Sequence, residues 1–128
     1  MRIVVAGATV STHQTLEALV RHGAEIVGVL QLRNESSHTV TAFSQLDKLA
    51  EPHGIPCATF RNINDSEIVE QVREWQPDLM FVVGLSQLVR GEMMSIPKRG
   101  CVGFHPTFLP AGRGRAPLAW LTLDGQPG

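Results

Sequence analysis

At 128 residues, 43% hydrophobic and with a formal net charge of −1, the chain fits one domain with a proper core. The near-neutral balance argues against broad electrostatic capture of nucleic acid. Two cysteines, Cys57 and Cys101, are too few for a disulfide framework or a zinc cluster, so no metal is expected, and no apolar run is long enough to span a bilayer.

Met1 leads into a strand without the pattern of a signal peptide, which makes the cytoplasm the expected compartment. Arg2 to Gly7 is a β-rich run with no polar alternation, the pattern of a strand buried on both faces of a parallel sheet. Ser11 with Gln14 can form a capping box, Leu16, Leu19 and Val20 give a helical stripe, and Gly23 is a natural stop. Glu25 to Leu32 is the second strand. Residues 33 to 40 are polar and lack periodicity, so a loop is expected. Phe43, Leu46, Leu49 and Ala50 repeat at helical spacing up to Pro52, and Ile55 to Phe60 is a short third strand. Asn64 can cap a helix carrying Glu67 at N3 and Ile68, Val69 and Val72 on its core face, closed by Pro77. Asp78 to Gly84 is the most apolar strand and is expected at the centre of the sheet. Residues 86 to 95 form a weaker helix, Gly100 to His105 the fifth strand, and Ala116 to Leu123 a last helix with Pro117 in its first turn.

Strand and helix alternate five times. That predicts βαβ units with right-handed crossovers: an α/β fold with a Rossmann-like open parallel sheet in the order 3-2-1-4-5, in a single domain over residues 1–128. The two cysteines fall in strands, where reduced, buried thiols are expected. His13, His22, His38 and His53 are read as solvated, and Trp75 and Trp120 as packing residues. The turn after the first strand, Gly7-Ala8-Thr9, lacks the further glycines of a dinucleotide fingerprint, but its backbone N–H groups can face an anion.

The stretch from Cys101 to Pro117, C-V-G-F-H-P-T-F-L-P-A-G-R-G-R-A-P, carries the most chemistry. Pro106 turns the chain away from helix at His105, which places the imidazole at the carboxyl end of a strand, the edge where open α/β sheets bind ligands. Prolines stiffen the loop, Gly112 and Gly114 allow positive φ, and Arg113 and Arg115 present guanidinium forks suited to phosphate or carboxylate. Taken as residues alone, the same stretch also suits a rigid surface loop with solvated arginines.

H-P-T-F-L-P followed by G-R-G-R-A-P-L-A-W resembles the signature loop of the folate-dependent formyltransferases, and the second run is most similar to the sugar-nucleotide branch. The resemblance implies the N-terminal domain fold of that family, with more chain following Gly128. It implies formyl transfer from 10-formyltetrahydrofolate, without a metal, to an amine on a small, phosphate-bearing acceptor, in first place an amino sugar nucleotide. Methionyl-tRNA as acceptor, hydrolysis of formyl-folate, and a non-catalytic folate- or nucleotide-binding relative stay open, and no membrane partner is implied. Carried onto this chain, the resemblance makes His105 the catalytic histidine. Leu85, Gln87 and Val89 become the backbone site of the pterin, and Gly7, Ala8, Thr9, Thr107, Arg113 and Arg115 the acceptor contacts. Two departures matter. The family's asparagine two residues before the histidine is Gly103 here, and its aspartate falls beyond Gly128, Asp124 matching only a turn residue.

Overall fold

The computed structural model describes residues 1–114 and 116–125. Its five strands are β1 (Arg2–Gly7), β2 (Glu25–Leu32), β3 (Cys57–Phe60), β4 (Leu79–Val83) and β5 (Cys101–Gly103). They pair in parallel in the order β3-β2-β1-β4-β5, as the alternation of elements predicts. The connecting helices are α1 (Val10–Arg21), α2 (Asp47–Ala50), α3 (Ser66–Trp75) and α4 (Gly91–Ser95), and α5 (Pro117–Leu123) follows β5.

Two layers of helix cover the sheet because side chains alternate along β1. Ile3 and Val5 face Leu16 of α1 and Leu46 and Ala50 around α2. Val4 and Ala6 face the other way, into a cluster with Phe60, Ile68, Val69 and Val72 of α3, and Met93 of α4. The centre of the sheet is therefore β1, buried from Ile3 onward, and not the more apolar β4. β4 is half-buried at Leu79, Phe81 and Val82 because its outer neighbour β5 is only three residues long. Trp75 is a packing residue: its indole lies where a Cβ on Gly28 would stand, and β2 is one residue out of step with β1 there. Trp120 is not, being 61% exposed on α5.

The helix ends depart from the expected caps. α1 starts two residues earlier than a Ser11 cap requires, with Thr9 as the cap and the Thr9 N–H donating to Thr12 Oγ1 at 3.2 Å. Thr12 is fully buried, and its hydroxyl donates to the Val83 carbonyl at the end of β4, 2.6 Å away. Asp65, not Asn64, caps α3. Residues 34 to 39, expected as loop, wind into a 3-10 turn, and the helix expected from Phe43 shrinks to α2 plus a 3-10 turn at Glu51–His53. The cause is Gln31, buried at the end of β2, whose Oε1 accepts from the Leu46 and Asp47 N–H groups and so fixes where α2 can begin.

The thiols are free and half-buried. Burial, with the Asp47 carboxylate nearby, pushes Cys57 up to about 11, and burial raises Cys101. A thiol raised on folding favours the native state below its unfolded pKa, and that contribution is lost as pH climbs toward 11. Alkylation of Cys57 by iodoacetamide at pH 8 is therefore expected to run about a hundredfold slower in the folded chain than in urea, on thiolate fraction alone. Equal rates in a peptide-mapping time course would refute the buried placement. Thr12→Val keeps the shape but leaves the Val83 carbonyl unpaired, and is expected to cost about 1–3 kcal/mol in urea unfolding.

Candidate functional site

The order of strands reverses between β1 and β4, so the loops after these two strands flank the switch point of the sheet. They lie against one another closely. A Cβ on Gly7 would collide with the Val83 carbonyl and with Thr12, and one on Gly84 would collide with the Thr9 hydroxyl. Gly84 also takes a left-handed φ of 61°, which suits only glycine well. Gly7 is thus sealed beneath its neighbours and serves close packing. The Thr9 hydroxyl is buried against Gly84, with no hydrogen-bond partner among the described residues. Of the three residues in this turn, Ala8 lines a cleft.

That cleft, about 700 Å³, lies outside the carboxyl ends of β1 to β4. Ala8, Leu85 and Gln87 line it. Three further residues were missed in the sequence: Arg33 and Glu35 after β2, and Arg61 after β3. His38, read as solvated, is exposed and also lines it.

The loop after β4 is clamped from the side. Gln87 Oε1 accepts from the Ile63 N–H at 2.8 Å, and its Nε2 donates to the Arg61 carbonyl at 2.7 Å. Asn64 Nδ2 donates to the Leu88 carbonyl at 2.9 Å, and Asn64 Oδ1 accepts from the Arg90 N–H at 2.8 Å. The Gln87 side chain is therefore spent inside the protein and holds the loop in place, and Asn64, read from the sequence as a helix cap, fastens its far end. Val89 is half-buried against the core on the α3 side.

His105 stands two residues past β5, half-buried, at the expected edge. Its Nε2 lies 2.8 Å from the Gly112 carbonyl. A carbonyl can only accept, so Nε2 carries the proton and Nδ1 is left as the acceptor. The Thr107 hydroxyl donates to the Ala111 carbonyl at 2.9 Å, with the Gly112 carbonyl at 3.3 Å. Its one proton is committed within the loop. Gly112, at φ 64°, lets the chain turn back under Thr107, and the Leu109–Pro110 bond is cis. Arg113 is exposed, and Arg115 lies outside the described residues. At Gly103 a Cβ would meet only the Val82 carbonyl, at 3.6 Å, an ordinary contact.

His105 and Thr107 form a self-braced loop at β5, and neither lines the cleft with Ala8, Leu85 and Gln87. Among the described residues no group of three His, Cys, Asp or Glu could hold a metal ion, and no helix is long and apolar enough to cross a membrane.

An open parallel sheet in the order β3-β2-β1-β4-β5, with helices on both faces, defines an α/β protein of the doubly wound class. The chain matches the formyl transferase family over residues 1–127 and belongs to that family. It is 35% identical to the methionyl-tRNA formyltransferase of Geotalea daltonii and 34% identical to that of Geotalea uraniireducens, in each case over 98% of this chain and 41% of the relative. The chain spans about two-fifths of the length of these curated relatives. Its fold is similar to the phosphoribosylglycinamide formyltransferase of Bacillus halodurans, with a TM-score of 0.75 and 17% identity over 97% of this chain and 66% of that one. It is also similar to a formyltetrahydrofolate deformylase of Pseudomonas syringae, with a TM-score of 0.71 and 19% identity over 97% and 42%.

Asn64→Ala tests the clamp. The Arg90 amide is expected to exchange with deuterium about tenfold faster or more, with the β1 amides unchanged, because only the loop is released. Uniform acceleration, or none, would contradict the assignment.

Proposed function

We propose that the protein transfers the formyl group of 10-formyltetrahydrofolate to a primary amine, with an amino sugar nucleotide as the acceptor. Membership of the formyl transferase family supports the reaction class. The observation that carries the site is His105, set at the end of β5 with its Nε2–H fixed on the Gly112 carbonyl and Nδ1 left to accept a proton.

The donor supplies an electrophilic formyl carbon, and an amine that attacks it must lose a proton while charge grows on the formyl oxygen. His105 Nδ1 is suited to move that proton or to orient the group that does. The charged oxygen needs a preorganised donor, and Gly103 brings no side chain. The Thr107 hydroxyl is engaged on Ala111, so it meets the oxygen only if that bond is given up. The clamped loop at Leu85, Gln87 and Val89 offers backbone groups to the pterin, which explains why so little of that role shows in side chains. Arg113 and Arg115 are proposed to face the acceptor. Trp120 closes the A-P-L-A-W run, which favours the sugar branch. The identity to methionyl-tRNA formyltransferases favours methionyl-tRNA as the second reading.

The test is formyl transfer by the natural polypeptide to amino sugar nucleotides and to methionyl-tRNA, side by side. His105→Ala is expected to abolish transfer. Gly103→Asn is expected to raise kcat by about 10- to 100-fold, since one oxyanion donor is typically worth about 10²–10³ and a Cβ there meets no close neighbour. If neither acceptor is formylated and Gly103→Asn creates no activity, the transferase reading falls.

A further inference from the structure

The cleft over β1 to β4 has a composition that the chemistry at His105 does not use. We propose that it is a subsite for the nucleoside diphosphate part of a ligand, with Arg61 and Arg33 holding the phosphates and Glu35 accepting from ribose hydroxyls. As a statement about the acceptor, it rests on the transfer reading. As a binding site, it stands by itself.

Charge is the first argument. Arg61 and Arg33 follow the adjacent strands β3 and β2, and both residues line the same cleft. Arg33 is partly occupied by Glu67, 3.7 Å away. Arg61 is exposed and makes no ion pair among the described residues. Its backbone, however, is fixed, because the Arg61 carbonyl accepts from Gln87 Nε2. A guanidinium with an anchored base and a free fork is prepared for a bidentate anion contact.

Glu35 is the second argument. A carboxylate opposes a bare phosphate, so an inorganic anion alone is a poor match for this lining. A ribose diphosphate is a good one, because a carboxylate just past the second strand of such a sheet is placed to accept from ribose hydroxyls while cations take the phosphates. The cleft, about 700 Å³, lies within the range that small-molecule sites occupy. Leu85 and Ala8 supply apolar wall. The cleft also shares the loop after β4 with the clamp, and so adjoins the proposed pterin site without including His105.

The experiment is calorimetric titration of the natural polypeptide with UDP, and separately with inorganic pyrophosphate, at 150 mM salt. UDP is expected to bind saturably and more tightly than pyrophosphate. Arg61→Ala should weaken both at least tenfold, and Arg61→Lys should recover part of the loss. Arg33→Ala should weaken both by less, since Glu67 already competes for that side chain. Glu35→Gln should weaken UDP while leaving pyrophosphate equal or tighter, a split that a merely structural role for Glu35 would not give. No saturable UDP binding, or UDP binding unchanged in Arg61→Ala, overturns the subsite. So does a Glu35→Gln effect of the same size on both probes. Arg61-dependent UDP binding in a protein that formylates nothing would keep the subsite and remove the transfer reading, so the two fail separately.

Discussion

The geometry of the ligand edge depends on one close approach, between the turn after β1 and the end of β4. Gly7 has no Cβ, so the Val83 carbonyl can reach the buried Thr12 hydroxyl and accept its proton at 2.6 Å. That bond ties the first turn of α1 to the strand whose loop carries Leu85, Gln87 and Val89. Nothing bulkier than glycine fits at Gly7 or Gly84, and a buried carbonyl without the threonine would pay its desolvation in full. Once the two loops are pinned, the loop after β4 has a fixed root, and the cleft on one side of it and the His105 loop on the other take their positions from it.

A second set of bonds finishes what the first begins. Asn64 and Gln87 fasten the same loop to the turn after β3, with four hydrogen bonds between 2.7 and 2.9 Å. The polar side chains here are spent on holding backbone in place. The β5 side is different. Its loop is braced internally by His105 and Thr107 on the carbonyls of Ala111 and Gly112, and it leaves Phe104, Phe108 and Leu109 exposed.

Much of the fold was legible because its cause is local. Short, largely apolar runs separated by helical stripes point to a parallel sheet with crossovers, and the strand order followed. The early start of α1, the shortened α2 and the cap of α3 were not legible. Each is set by a side chain reacting to a distant backbone group: Thr12 to Val83, Gln31 to Leu46, Asn64 to Arg90. His105 was legible from the proline beside it and from the run of loop residues that resembles the family. Arg61 and Glu35 were not, since they are single polar residues in unremarkable turns, and only the adjacency of β2 and β3 brings them together. The cleft takes in Ala8, Leu85 and Gln87 but not His105 or Thr107.

The central claim is that the pinned loop after β4 holds folate while the cleft it borders holds the nucleoside diphosphate. Backbone amide mapping by NMR tests it most directly, with tetrahydrofolate and UDP added in turn and then together. The account predicts that tetrahydrofolate shifts amides in 84–89, that UDP shifts those at Ala8, 33–40 and Arg61, and that each ligand still binds with the other present. If both ligands move the same amides and displace one another, the division is wrong and the edge holds a single site.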